Sequence, residues 1–269
     1  KLVLCLTTSV LRKRGKYMEI VTLTNQKGGV AKTTTALALA TGLHRKKKKV
    51  LMVDMDAQSN LSFTVGVDLL NIETTLYDVF KDEADIKDAL QPVENKLDIV
   101  TGGLQMAAAD MEFTSVGREY LLKKNLEKLS SNYDYCVIDT PPTLGILTMN
   151  ALTASHKVII PLFADIYSLQ GISQLQGFIQ NIREYCNPGL KIEGLLLTKY
   201  TARTNIAQAL DEQIQNAAIT LETKVFKTRI RQAVAVQESQ LMKGDIYTKA
   251  PNATATKDYM EFVKEFIKK

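Results

Sequence analysis

The chain has 269 residues, 45% of them hydrophobic and 23% charged, proportions that exclude a disordered or fibrous chain and fit a globular one. That length suits one large α/β domain and is short for two. No apolar run reaches the roughly 20 residues a bilayer crossing needs. The three cysteines, Cys5, Cys136 and Cys186, have no metal or redox spacing, which excludes a disulfide scaffold and fits a reducing cytosol.

The net charge of +5 is not spread evenly. Lys1, Arg12, Lys13, Arg14 and Lys16 precede Met18 with no acid among them, leaving 29 basic and 29 acidic residues in the remainder. Affinity for nucleic acid must then come from a local patch, not from global charge. Residues 1–17 read as an extension ahead of a domain spanning 18–269, with Met18 as its natural start. The alternative for the extension is a short regulatory or DNA-contacting tail. Its basic residues follow the apolar Leu2-Val3-Leu4-Cys5-Leu6, the reverse of the order in a secretory signal.

From Met18 onward, short apolar runs at 20–23, 50–53, 97–100, 135–138, 158–161 and 195–197 predict strands. They are nearly continuous rather than alternating, as in strands buried on both faces. Helical patterns at 34–44, 118–129, 169–185 and 206–217 lie between them. The alternation predicts an α/β fold of three layers, a mostly parallel sheet with helices on both faces. Tyr259, Met260, Val263, Phe266 and Ile267 carry helical spacing and predict a terminal helix packed on the domain.

The first strand leads into Asn25-Gln26-Lys27-Gly28-Gly29-Val30-Ala31-Lys32-Thr33-Thr34. Two adjacent glycines let backbone N–H groups turn toward phosphate oxygens, and the helix that follows adds unpaired N–H groups and a positive dipole end. Lys32 is placed to reach β- and γ-phosphates and Thr33 to ligate Mg²⁺. A strict P-loop pattern fails, since Gln26 and Ala31 stand where glycines are expected.

Two strand ends carry carboxylates. Val50-Leu51-Met52-Val53 runs into Asp54-Met55-Asp56, and Tyr135-Cys136-Val137-Ile138 into Asp139-Thr140-Pro141-Pro142. Open α/β sheets bind ligands at such C-terminal strand ends, and a single carboxylate closing an apolar strand holds Mg²⁺ directly or through water in P-loop enzymes.

The stretch from Lys27 to Thr33 resembles the deviant Walker A motif of the ParA/MinD superfamily. Asp54-Met55-Asp56-Ala57-Gln58, Asp139-Thr140-Pro141-Pro142, residues 160–171 and residues 194–205 extend the likeness along nearly the whole domain, toward ParA/Soj-type partition ATPases. Ala57 replaces the usual proline and Asp165 the usual glutamate. The resemblance implies an Mg²⁺-dependent ATPase that binds ATP and ADP on residues 27–34 and forms an ATP-dependent homodimer. Lys27 would reach the second subunit's nucleotide, Asp56 would orient the attacking water, and Asp54 would support the metal held by Thr33 and Asp139, so that Lys27, Lys32 and Asp56 form the catalytic set.

Lys224, Lys227, Arg229 and Arg231 occur with no acid between them. With Arg203 they are the expected contact for DNA bound without regard to sequence, the function this family implies in plasmid or chromosome partitioning beside a ParB-like partner, in the cytoplasm on the nucleoid. Arg45-Lys46-Lys47-Lys48-Lys49 is a denser run, expected as a solvated connection between helix and strand. A MinD-like ATPase working at a membrane surface is the alternative function, and the C-terminal helix would then be its contact; membrane contact is otherwise not expected.

Overall fold

The computed structural model describes residues 17–93, 97–200 and 205–268. A seven-stranded sheet runs through the middle: β1 (Glu19–Leu23), β2 (Val50–Asp54), β3 (Leu90–Val93), β4 (Leu97–Thr101), β5 (Tyr135–Asp139), β6 (Lys157–Leu162) and β7 (Lys191–Leu197), in the order β3-β4-β2-β5-β1-β6-β7. All pairings are parallel except β3 with β4. The six expected strands are all present, with boundaries shifted by a few residues. The seventh, β3, escaped the apolar pattern because it is a half-buried edge carrying Pro92, a residue most easily accommodated at an edge.

The helices are α1 (Lys32–Arg45), α2 (Asn60–Thr64), α3 (Leu76–Phe80), α4 (Ala109–Glu112), α5 (Leu121–Glu127), α6 (Ile146–Ala154), α7 (Ile166–Tyr185), α8 (Asn205–Thr220), α9 (Val234–Leu241), α10 (Ile246–Lys249) and α11 (Thr254–Ile267). The pattern at 118–129 resolves into a 3-10 turn at Arg118–Tyr120 followed by α5.

Side chains alternate across the strands and so feed separate cores. Val21, Leu23, Val50, Met52 and Val137 pack with α1, α10 and α11. Leu51, Val53, Val100, Cys136 and Ile138 pack with α3, α5 and α6 on the other face, and α7 and α8 cover the β6–β7 end. The apolar stripe of α11 is spent inside: Tyr259, Phe262, Val263 and Phe266 are buried, and only Met260 of the expected set is exposed. The terminal helix is therefore a packed one. No helix among the described residues is long and apolar enough to cross a membrane.

Residues 225–231 lie along the β7 edge. Bridges join Leu195 to Val225 and Tyr200 to Arg231, while Phe226 and Ile230 are buried, Phe226 edge-on to Phe262 at 5.0 Å.

Candidate phosphate-binding site

β1 delivers residues 24–31 to the C-terminal edge of the sheet, where α1 starts. The loop is fixed from both sides. Asn25 donates to the Pro161 carbonyl at 2.8 Å and accepts from the Lys27 N–H at 2.9 Å. Thr198, at the end of β7, donates to the Val30 carbonyl at 3.0 Å. A Cβ added at Gly28 or Gly29 would meet nothing within 4 Å, so the crest of the loop is open space for a ligand that backbone N–H groups approach closely. Ala31 takes φ 63°, a left-handed conformation that glycine adopts freely and alanine holds at a cost of about 1 kcal/mol. The family's usual glycine is thus missing where the backbone would favour it.

Lys32 is buried, its ammonium 3.2 Å from the Lys27 carbonyl. Burial lowers its pKa, while Asp139 and Asp56 oppose that fall. Its charge is poorly solvated and accordingly available to an incoming anion. Thr33 and Thr34 line the same cleft of about 920 Å³ with Asp56, Gln58, Pro142, residues 230–234, Val236 and Gln237.

The two expected carboxylate strand ends are brought side by side, Asp54 opposite Asp139 in the β2–β5 register. Their surroundings separate their roles. Asp54 is fully buried; one oxygen accepts from the Ser62 N–H at 2.9 Å and the Ser62 hydroxyl at 2.8 Å, the other from the Asp56 N–H at 3.2 Å. Burial pushes its carboxyl up to about 6 against those hydrogen bonds. One oxygen holds α2 through Ser62 and the other holds the turn at Asp56, so the expected support of a metal by Asp54 would be indirect. Asp139 is the opposite case. Both its oxygens are buried and neither has a partner at full hydrogen-bonding geometry, the Thr33 hydroxyl being the one donor close enough to favour the charge. Burial, then Asp54, push its carboxyl well above the usual carboxylate range, and Thr33 and Lys32 favour the charged form. A buried, unpartnered carboxylate is costly unless a cation completes it. Among the described residues no group of three or more His, Cys, Asp and Glu forms a cage. One open carboxylate plus the Thr33 hydroxyl is the sparse donor set that suits Mg²⁺, which keeps several waters and takes phosphate oxygens.

Asp56 is half-buried on the cleft, accepting from the Gln58 N–H at 3.0 Å. Lys27 points elsewhere: its ammonium lies 2.6 Å from Asp165 and 5.3 Å from the Phe163 ring centre, over which Lys199 also sits at 5.0 Å. The sequence singled out Lys27 and Asp165 but not their pairing. It also gave no sign of Thr198 as an anchor or of the Gln240 side chain donating to Thr34 at 3.1 Å.

The basic patch is locally compensated. Lys224 pairs with Glu193 at 3.6 Å, Arg229 with Asp211 at 2.5 Å and Arg231 with Asp258 at 2.6 Å. Glu265 accepts the N–H groups of Lys227 and Thr228. Arg203 lies outside the described residues.

Comparison with known proteins agrees with this geometry. The AAA_31 family model, an AAA domain, matches residues 18–192. The sporulation initiation inhibitor protein Soj of Bacillus subtilis is 39% identical over 250 residues, covering 92% of this chain and 97% of that protein. The chromosome partitioning protein ParA of Myxococcus xanthus is 35% identical over 93% of this chain and 88% of its own length. Among solved structures, cobyrinic acid a,c-diamide synthase of Mycobacterium smegmatis, with bound ATP analog and magnesium, superposes with a TM-score of 0.82 at 30% identity, covering 92% of this chain and 93% of that one. A phosphate-cradling loop, an open carboxylate beside it, and likeness to Soj and ParA over nearly the full length place this chain in the AAA_31 family of P-loop domains, with the ParA/Soj-type partition ATPases.

Proposed function

We propose that the protein is an Mg²⁺-dependent ATPase used as a nucleotide-switched, sequence-indifferent DNA-binding dimer in plasmid or chromosome partitioning. The observation that carries the catalytic part is the Asp139 carboxylate, buried and unpartnered beside Lys32 and Thr33. Backbone N–H groups of residues 28–33 would receive the β- and γ-phosphates, with Lys32 adding a charge-assisted contact. Thr33 and Asp139 would hold Mg²⁺, whose chemistry is to neutralise charge developing on the phosphates. Asp56, on the cleft and not buried, is placed to orient the attacking water. Lys27 would complete the site of a second copy, which makes hydrolysis depend on association.

For DNA, the proposal keeps Arg203, Lys224, Lys227, Arg229 and Arg231 as contacts. Because neighbouring acids compensate this patch, one copy offers little net attraction; two copies on one surface of a dimer would add their contacts through effective concentration. A ParB-like protein would be the regulatory partner and the nucleoid the place of action. The membrane-surface alternative is not favoured, because the apolar stripe of α11 is buried against α1 and the sheet.

Phosphate release and light scattering with ATP and Mg²⁺ test the reading. Wild type should hydrolyse and dimerise. Lys32→Ala should fail to bind ATP in calorimetry, and Asp56→Ala should bind and dimerise while releasing phosphate at least tenfold more slowly. Near-normal ATP binding by Lys32→Ala would refute the loop assignment.

A further inference from the structure

The most concentrated charge on the chain lies away from every site described above. Arg45, Lys46, Lys47, Lys48 and Lys49 close α1 and lead into β2. Four of them are exposed and Lys48 is half-buried. Among the described residues none of the five is ion-paired, whereas Lys224, Arg229 and Arg231 each are. Asp134 accepts the backbone N–H of Lys49 at 2.8 Å. The Arg45 guanidinium lies over the Tyr247 ring at 5.7 Å, which holds that charge at the end of α1 beside the four lysines. Lys47 holds φ 60°, turning the run into a tight knuckle instead of a further turn of helix.

Position adds a second argument. The 14 residues of α1 separate the run from the phosphate loop by roughly 20 Å, at the opposite end of the sheet. Two copies joined at their nucleotide faces would carry their runs on outer ends, so the run needs neither nucleotide nor partner to meet a ligand. Four lysines without an ion pair among the described residues, beside Arg45, fit a regular row of phosphates, contacted as charge without reading bases. An anionic membrane is a poorer fit, because surface-binding segments also need exposed apolar residues; beside the run Val50 is buried and His44 half-buried. We infer that residues 45–49 form a second contact for the backbone of duplex DNA, one that operates without nucleotide and complements the nucleotide-dependent contact. This rests on the DNA-binding reading above.

The test is fluorescence anisotropy with two unrelated 24-base-pair duplexes, across a salt series, with and without a non-hydrolysable ATP analogue. Wild type is compared with a fourfold variant, Lys46→Gln, Lys47→Asn, Lys48→Gln and Lys49→Gln, asparagine being chosen because it tolerates the left-handed backbone. A charge-retaining variant with Lys46→Arg, Lys48→Arg and Lys49→Arg serves as the control. Without nucleotide, wild type should bind both duplexes weakly. The fourfold variant should lose at least tenfold in affinity and about 3 in log–log salt slope, while the arginine variant behaves as wild type and all three bind ATP equally. If the fourfold variant folds poorly, Lys46→Gln with Lys49→Gln should show about half that slope change. Equal nucleotide-free binding by wild type and the glutamine variants would overturn the inference. So would wild-type binding that appears only with the ATP analogue. Wild type that binds no duplex in either state would instead sink the DNA-binding reading itself.

Discussion

The Lys27 ammonium and the Asp165 carboxylate form an ion pair of 2.6 Å within one chain, joining the phosphate loop to the segment after β6. Each group is about a third exposed, so the pair contributes no more than about 1 kcal/mol. In the proposed dimer that would still be enough to compete with the second copy for Lys27. Asp165→Asn should shift ATP-driven dimerisation to lower protein concentration, by up to about fivefold, in a light-scattering dilution series. Lys27→Ala should bind ATP and remain monomeric. Dimeric, active Lys27→Ala protein would remove Lys27 from the interface.

Asp139 sets function against stability. Burial and the neighbouring Asp54 disfavour its ionised form, so Asp139→Asn removes a group that is costly to ionise there and relieves its repulsion with Asp54. Without nucleotide the variant should melt about 2–4 °C higher, the shift expected for ~1 kcal/mol in a chain of this size. Its ATP hydrolysis should fall at least a hundredfold, and added Mg²⁺ should no longer raise its affinity for ATP. Calorimetric scans and phosphate release on the same preparation measure both effects. A lower melting temperature would mean that Asp139 is a structural strut.

Gly194 marks where residues 224–226 press against β7. A Cβ there would lie 2.7 Å from the Phe226 ring and 3.1 Å from the Lys224 carbonyl oxygen. Gly194→Ala should cost about 1–3 kcal/mol through overpacking, read from urea unfolding. Because the displaced segment carries the proposed DNA contacts, nucleotide-dependent DNA affinity should fall as well, while ATP affinity stays within about twofold.

Arg229 and Arg231 separate stability from recognition. Each is paired with one carboxylate at the surface, so replacing both by alanine should cost little stability. Filter binding with ATP should weaken equally for two unrelated duplexes, with the salt slope shallower by about 2. A change confined to one duplex would show that the face reads sequence.

The sheet was legible because strands buried on both faces leave continuous apolar runs, as 50–53 and 135–138 do. β3 was not, since an edge strand with a proline and no fully buried residue leaves no such run. The phosphate loop was legible because few local structures need adjacent glycines followed by lysine and threonine. What stayed hidden were relations between distant residues. Asp54 and Asp139 look alike in sequence, each ending an apolar strand. Only the fold shows that Ser62 and the Asp56 backbone occupy one while the other stands open. Likewise, four basic residues at 224–231 suggested a cationic face. Their partners Glu193, Asp211 and Asp258 come from three other segments, and no local pattern could reveal that compensation.

The sheet ends in two different closures. On one side Pro92 removes a donor from the β3 edge. On the other, residues 224–231 exchange main-chain hydrogen bonds with β7: Leu195 donates to Lys224, Phe226 to Leu195 and Ile230 to Leu197. Neither flank therefore offers a long bare ladder on which a second copy could template a strand. Crowding many copies along a polymer, as the proposed function would require, need not seed fibres. The proposed dimer would then form through the loops at the C-terminal ends of the strands, where it could be made and undone with each turnover.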